Sequence, residues 1–364
     1  MLWGGYGMAV IRNEIAKRMK KRHFSVAPAG YRAERMTEKC FVLGSNSFSG
    51  ASFISYALTQ GVEVFGASRS AESHDVFLPY KWQSGGKFRF EQLDLNRDTE
   101  RIVERVREFR PDFVVNFAAQ SMVAESWEHP EHWYQTNVIA NVKLHEQLRR
   151  LDFIRKYVHV STPEVYGSCS GNVTEEAPFN PSTPYAASRA ACDLHLMTFF
   201  RNYRFPVVFT RAANVYGPGQ QLYRIIPRTI LFIRLGRKLQ LHGGGRSVRS
   251  FIHIRDVADA TLRIARQAPP GETFHLSTDS HISIRDLVEM ICRKMGANFS
   301  DVVEISDDRP GKDAAYLLDS AKARRTLGWK DAVTLDQGID ETLRWVEDHI
   351  DVLKKQPMQY IHKP

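Results

Sequence analysis

The sequence predicts an α/β protein built on a doubly wound parallel sheet, with a smaller α/β part after it. Three observations predict this. From Lys39 onward, short β-branched runs alternate with segments of helical period, which reads as strand–helix crossovers. The runs are nearly all apolar, as strands buried on both faces are. The first run also enters a glycine-framed turn just before a helical segment. A length of 364 residues suits one large or two fused domains.

Taken in order, Lys39–Leu43 reads as the first strand and Gly50–Gln60 as the helix after it. Glu63–Ala67 is a second strand. Phe88–Leu93 is a third, followed by a helix around Thr99–Arg107. Phe113–Phe117 is a fourth, and a long helix runs from Trp133 to about Leu151. Lys156–Ser161 is a fifth strand, Tyr185–Phe200 a helix and Val207–Arg211 a sixth strand. Beyond Arg211 the alternation loosens, with Gly217-Pro218-Gly219 and Gly243-Gly244-Gly245 as punctuation. A helix at Ser283–Met295, a strand at Val302–Ile305 and a helix at Thr334–His349 follow. There is no internal repeat and no low-complexity tract. Right-handed crossovers place the loops after the strands on one edge, where ligands bind.

Composition narrows the function classes. Hydrophobic residues make up 43% and charged residues 25%, which excludes a disordered or fibrous protein. No stretch approaches the roughly 18 apolar residues of a membrane span. Cys40, Cys169, Cys192 and Cys292 form no CxxC pair, so neither a zinc site nor a disulfide scaffold is expected. A reducing, cytoplasmic setting fits. The net charge is +9, but residues 1–38 carry eight Lys/Arg against three Glu, and the other 326 carry 42 against 38. The near-balanced body argues against nucleic acid as a partner. The run Lys17–Arg22 belongs to a basic extension, 1–38, expected to be poorly ordered. His242, His253 and His275 lack metal-ligand spacing and read as structural.

The turn after the first strand is Gly44-Ser45-Asn46-Ser47-Phe48-Ser49-Gly50. Its place between strand and helix suits a dinucleotide, whose pyrophosphate would face the helix-start amides. The frame is Gly-x-x-Gly-x-x-Gly with Ser47 at the middle glycine, which is expected to cost some geometry. The second strand ends near Arg69, where an acid would favour NAD and an Arg favours the 2′-phosphate of NADP. Asp94-Leu95 follows the third strand, placed to flank adenine. Ala118-Ala119-Gln120-Ser121 follows the fourth, with small side chains against which a cofactor can lie.

The fifth strand ends at Ser161-Thr162-Pro163-Glu164. Some twenty residues on, Pro184-Tyr185-Ala186-Ala187-Ser188-Arg189 opens a helix. Tyr185 and Arg189 are four apart and share a face. A phenol beside a fixed cation is expected to ionise more readily and so to serve as an acid/base. Glu164 reads as a second base or as a solvated acid at a strand end.

In these motifs the sequence resembles the extended short-chain dehydrogenase/reductases, the NAD-dependent epimerase/dehydratase family with a Rossmann fold. The pattern is closest to the nucleotide-sugar 4,6-dehydratases of GDP-mannose and dTDP-glucose type. The matching stretches are Ser161–Gly167, Pro184–Ala190, Thr210–Pro218, Val248–Asp256, Asp308–Asp313 and Leu327-Gly328-Trp329. The resemblance implies a dinucleotide-binding domain over 39–212 with 247–270, and a nucleotide-sugar-binding domain over 213–246 and 271–364. It implies NADP or NAD, with NADP favoured by Arg69, tightly bound and regenerated. Gly44, Asn46, Ser47, Phe48, Gly50, Arg69, Asp94, Leu95, Ala118, Ala119, Gln120, Tyr185 and Arg189 are then the cofactor-binding set. Tyr185 takes the proton of the sugar 4-hydroxyl, Thr162 hydrogen-bonds that hydroxyl, and Glu164 takes the C5 proton before water leaves C6. Ser121 and Asn214 meet the substrate, and Arg249 pairs with its pyrophosphate through a bidentate fork. A nucleotide-diphosphate sugar substrate and a homodimer through the two long helices follow, with no metal, no nucleic acid and no membrane.

Three positions depart from that family: Ser47, Arg189 where it has Lys, and Pro163 where many members carry an Asp acid. Proline has no proton to give, so Glu164 is expected to act as both base and acid. Two other enzyme readings stay open, a UDP-hexuronate decarboxylase and a nucleotide-sugar 4-epimerase. So does a module that binds a dinucleotide or nucleotide sugar without turnover.

Overall fold

The central runs assemble into a parallel sheet because neither of their faces tolerates water, while the edge run Phe88–Gln92 stays partly exposed. A computed structural model describes residues 37–169, 171–307 and 317–364. The basic run Lys17–Arg22 and the stretch Asp308–Asp313 lie outside the described residues. The sheet strands are β1 (Lys39–Leu43), β2 (Glu63–Ser68), β3 (Phe88–Gln92), β4 (Phe113–Asn116), β5 (Lys156–Val160), β6 (Val207–Ala212) and β7 (Thr273–Leu276). Their order is β7-β6-β5-β4-β1-β2-β3, and every neighbouring pair is parallel. The winding direction reverses between β1 and β4, which opens a crevice at the carboxyl ends of those strands.

The helices that follow are α1 (Phe48–Thr59), α2 (Thr99–Phe109), α3 (Pro130–Tyr134), α4 (Asn141–Leu148), α5 (Pro184–Tyr203), α6 (Ile225–Arg234), α7 (Ile254–Gln267), α8 (Ile284–Lys294), α9 (Ala321–Leu327) and α10 (Leu335–Asp348). One sheet face packs against Ile54 and Ala57 of α1, Ala260 and Ile264 of α7, and Ala323 and Leu327 of α9. The other packs against Ile102 and Val106 of α2, Leu144 of α4, and Cys192 and Leu196 of α5. A further apolar cluster joins Ile230 of α6, Leu287 of α8 and Val346 of α10. Burial of such side chains contributes about 1.5–3 kcal/mol each.

Three local outcomes differ from expectation. The long helix predicted from Trp133 is interrupted by a π turn over Gln135–Ala140, between α3 and α4. Asn141 explains how the break is tolerated: its Nδ2 donates to the Thr136 carbonyl at 3.0 Å, a group the wider turn frees. The boundary 271–364 placed Thr273–Leu276 in the smaller part, yet this strand pairs with β6 in the main sheet. Its Phe274, His275 and Leu276 are buried, and it covers the edge of β6 opposite β5. Helix α6 was unanticipated because its Ile-rich run with Pro227 looks strand-like. The proline falls in the first turn, where an amide N–H has no intrahelical partner to lose.

Candidate active site

Two glycines set the turn after β1. Gly44 has φ +77°, and a Cβ there would sit 2.7 Å from the Ala118 amide nitrogen. A Cβ on Gly50 would lie 2.2 Å from the Gly44 carbonyl oxygen, so this helix-start residue packs under the turn. The middle position needs no glycine. Ser47 has φ −72° and ψ 157° and is the N-cap of α1. Its hydroxyl donates to the Gly44 carbonyl at 2.7 Å and accepts from the Gly50 amide at 3.1 Å. The expected geometric cost at Ser47 is therefore replaced by a capping bond.

The groove beyond this turn is a cavity of ≈ 440 Å³ lined by Gly44, Asn46, Ser47, Arg69, Asp94, Leu95, Ala118 and Ala119. Asn46 stitches the first two strand ends: its amide donates to Ser68 Oγ at 3.2 Å and its Nδ2 to the Ser70 carbonyl at 3.0 Å. Arg69 is engaged by the far end of the described chain, donating from Nη1 to the carbonyl oxygens of Lys363 and Pro364 at 3.0 and 3.1 Å. Gln120 is buried, and its Nε2 donates to the same Lys363 carbonyl at 2.6 Å.

A second cavity of ≈ 690 Å³ shares Ser47 and Ala119 with the first and is lined by Phe48, Ser121, Thr162, Pro163, Glu164, Tyr185, Arg189, Asn214 and Arg249. It brings together residues from β5, α5, β6 and the segments after it. At the end of β5, Thr162 caps a short 3-10 turn over Pro163–Tyr166. Its Oγ1 accepts from the Glu164 amide at 3.3 Å. Pro163 fits the first position of that turn, where its fixed φ is favoured. Thr183 caps α5 in the same way, accepting from the Ala186 amide at 3.1 Å, so Tyr185 is held in the first turn. Thr162 hydrogen-bonds the Tyr185 phenol.

The phenol does not behave as its neighbour alone predicts. Burial pushes the Tyr185 pKa up, with a contribution from the Glu164 charge, against the lowering effects of Arg189 and Thr162. Removal from water outweighs the guanidinium here. Arg189 itself is 2% exposed. Its Nη2 donates to the Val160 carbonyl and lies 3.2 Å from His159 Nε2. Its Nε and Nη1 have no protein partner. Asn214 Nδ2 donates to the Ser250 carbonyl at 3.2 Å, and Arg249 Nη1 to the Val248 carbonyl at 2.8 Å.

Behind the cleft lies a polar layer that sequence reading missed. Asp193, one turn beyond Arg189, accepts from Ser161 Oγ at 2.7 Å and from Arg211 Nη2 at 2.8 Å. Arg211 also donates to the Tyr166 hydroxyl, which pairs with His275 Nε2 at 2.7 Å. Burial and the Arg211 charge hold His275 down at about 3. Burial and Arg189 hold His159 well below the usual imidazole range. In the π turn, Asn137 accepts from the Gln120 amide at 2.9 Å and donates to Ser188 Oγ at 2.9 Å, tying the loop after β4 to α5. The signal for this layer was present as charged or imidazole side chains inside strand runs, Arg211 and His275.

Comparison with known proteins agrees with this geometry. The family described as GDP-mannose 4,6 dehydratase matches residues 41–342. A dTDP-glucose 4,6-dehydratase of Xanthomonas campestris is 31% identical over 323 residues, covering 84% of this chain and 92% of its own. The solved dTDP-glucose 4,6-dehydratase of Streptomyces venezuelae, with NAD bound, superposes with a TM-score of 0.80 at 30% identity, over 86% of this chain and 98% of that one. The Bacillus anthracis dTDP-glucose 4,6-dehydratase in complex with NAD gives 0.79 at 28% identity, over 87% and 99%. With the turn, the Thr162–Glu164 and Tyr185–Arg189 pairs and the sheet order all in place, the chain belongs to the extended short-chain dehydrogenase/reductases, in the nucleotide-sugar 4,6-dehydratase family.

Proposed function

We propose that the chain converts a nucleotide-diphosphate sugar to its 4-keto-6-deoxy derivative. The observation that carries this reading is Glu164 and Tyr185 facing one cleft, with Thr162 bonded to the phenol. The residues also fit a nicotinamide dinucleotide. Arg189 presents two buried N–H groups without protein partners beside the cleft, a match for the hydroxyl pair of a ribose. When bound, such a dinucleotide supplies the hydride acceptor for C4 and the donor for C6.

The protein side of the reaction follows from placement. Thr162 hydrogen-bonds the sugar 4-hydroxyl, and Tyr185 takes its proton, with Arg189 and Thr162 favouring the phenolate that burial opposes. Glu164 removes the C5 proton, which the C4 ketone acidifies. Pro163 has no proton to give, so Glu164 passes this one to the departing C6 hydroxyl and water leaves. C5 is reprotonated at the end, balancing the proton that Tyr185 gained. Asn214 and Arg249 are placed to hold the nucleotide phosphates, with Ser121 at the sugar.

We take NAD as the dinucleotide, because the solved relatives carry NAD and Arg69 Nη1 is spent on two carbonyls. The NADP expectation from Arg69 is not carried forward. A homodimer is supported by exposed Tyr134, Ile139, Leu194 and Tyr203 along the α3–α4 region and α5. Met197 and Phe200, by contrast, pack inward against the core of their own chain. A cytoplasmic setting accords with four free cysteines. No helix among the described residues is long and apolar enough to cross a membrane.

The test is incubation with GDP-, UDP-, CDP- and dTDP-sugars and each dinucleotide, read by mass. Loss of one water without net dinucleotide consumption is expected. Loss of carbon dioxide from a hexuronate would make it a decarboxylase. Unchanged masses throughout would point to epimerisation or to binding without turnover.

A further inference from the structure

Segment 358–364 crosses the mouth of the dinucleotide groove, and one residue in it meets an unusual cluster. His362 stacks on Trp133 with ring centroids 5.1 Å apart and planes 9° apart, and lies edge to edge with His132, centroids 5.1 Å apart and planes 16° apart. His132 belongs to the run His129-Pro130-Glu131-His132 at the start of α3. One ligand atom from each of His129, Glu131 and His132 can be chosen so that all three lie within 4.8 Å of one another. Glu131 Oε1 is 3.6 Å from His129 Nδ1 and 3.7 Å from His132 Nε2. Ligands at 2.0–2.2 Å from a tetrahedral ion stand about 3.3–3.6 Å apart, so the two gaps to Glu131 are close to two edges of such a site.

We propose that His129 Nδ1, Glu131 Oε1 and His132 Nε2 form a three-ligand site for a divalent transition-metal ion of the zinc class, and that His362 orients it. The proton placement is consistent. His132 Nδ1 lies 2.8 Å from His362 Nε2, so an Nδ1–H on His132 donates to His362 and leaves the His132 Nε2 lone pair for the metal. The other His362 nitrogen, Nδ1, is 3.4 Å from the Tyr360 hydroxyl, which accepts its proton. A ligating imidazole with its remote N–H engaged is the common arrangement at metal sites. Pro130 fixes the backbone between the two imidazoles, and the exposed rims of His129 and Glu131 leave an entry path. Neither the cysteine spacing nor the three histidines singled out from the sequence pointed here; the ligands lie in one short run, but their outer partner His362 is 230 residues from His132.

The position of the site gives it a consequence. The residue after His362 is Lys363, whose carbonyl accepts from both Gln120 and Arg69 and whose Nζ reaches Ser70 Oγ at 3.2 Å. An ion that holds His132 in place also anchors this segment over the groove. Bound metal therefore slows exchange of the dinucleotide; this second part rests on the dinucleotide reading above, while the metal site does not.

The test uses the full chain with Zn²⁺ alone, by calorimetry, and with Co²⁺ alone, by its visible absorption. One ion per chain is expected, with a tetrahedral Co²⁺ spectrum. His129→Ala and His132→Ala are each expected to abolish both signals, and His362→Ala to weaken binding by about 10–100-fold, as loss of an outer partner does. Binding unchanged in His129→Ala or His132→Ala, or absent from the native chain, overturns the site. NAD release is then timed with and without Zn²⁺. Slower release with the ion in the native chain, and no difference in His362→Ala, supports the anchor. Equal rates in the native chain overturn the anchor while leaving the metal site standing, and failure of NAD to bind at all counts against the groove reading instead.

Discussion

On the catalytic side of the cleft, Asp193, Arg211, Tyr166 and His275 are buried and joined by hydrogen bonds that span β5, α5, β6 and β7. On the dinucleotide side, Arg69 and Lys363 meet through backbone carbonyls at an exposed surface. The two walls answer differently to disturbance. Removing one partner of a buried ion pair leaves the other charge stranded, at about 3–5 kcal/mol. An exposed hydrogen bond is worth about 0.5–1.5 kcal/mol. The difference teaches that the wall proposed to move protons is cross-braced by buried charges, while the wall proposed to take a dinucleotide is held by exposed hydrogen bonds.

The comparison breaks most visibly at the two residues proposed to transfer protons. Glu164→Gln and Tyr185→Phe are each expected to lower turnover by roughly 10²–10⁴-fold, the usual share of a general acid or base, with NAD binding retained. Full activity in either variant removes that residue from the mechanism. Next in size is Asp193→Ala, which is expected to cost about 3–5 kcal/mol in urea unfolding because Arg211 loses its counter-charge. A loss below about 1 kcal/mol would mean the layer is hydrated and the wall is not braced by it.

A third effect concerns acid. His275 is held at about 3 in the folded chain against about 6.5 unfolded. Between those values the unfolded chain binds the extra proton, so stability is complete above pH 6.5 and falls as pH drops toward 3. The slope from this one group approaches about 1.4 kcal/mol per pH unit. Unfolding midpoints between pH 7 and 5 check it, and His275→Gln is expected to flatten the fall. The smallest effect belongs to the turn. Ser47→Ala is expected to cost about 1 kcal/mol and Ser47→Gly only a few tenths. A larger cost for glycine would show that the hydroxyl does more than cap α1.

Much of this was legible because hydrophobic period is a local property. Lys39–Leu43 was placed to the residue, and the strands ending at Asn116 and Val160 to within one. Thr162, Glu164, Tyr185, Asn214 and Arg249 were drawn from separate motifs, and the fold gathers them into one cleft. What stayed hidden depends on distant partners. The upward shift of Tyr185 needs its burial to be known, and the capping role of Ser47 needs its φ. The place of Thr273–Leu276 is decided by the open edge of β6, and that of His362 by Trp133 and His132. No window of neighbouring residues contains the partners of Thr273–Leu276 or His362; those of Ser47 are local, Gly44 and Gly50, but its extended backbone is not written in the sequence.

The π turn at Gln135–Ala140 has a consequence for chain length. Asn137 faces Gln120 and Ser188 while Asn141 faces Asn116 and the Thr136 carbonyl, and both depend on one surplus residue in that turn. Deleting the surplus residue would restore regular helical winding with α4 kept in phase, but the wide turn that presents Asn137 to the loop after β4 would be lost. In this stretch the number of residues is constrained more tightly than the identity of most of them, and homologous sequences that align across it with a gap would have to build the loop after β4 some other way.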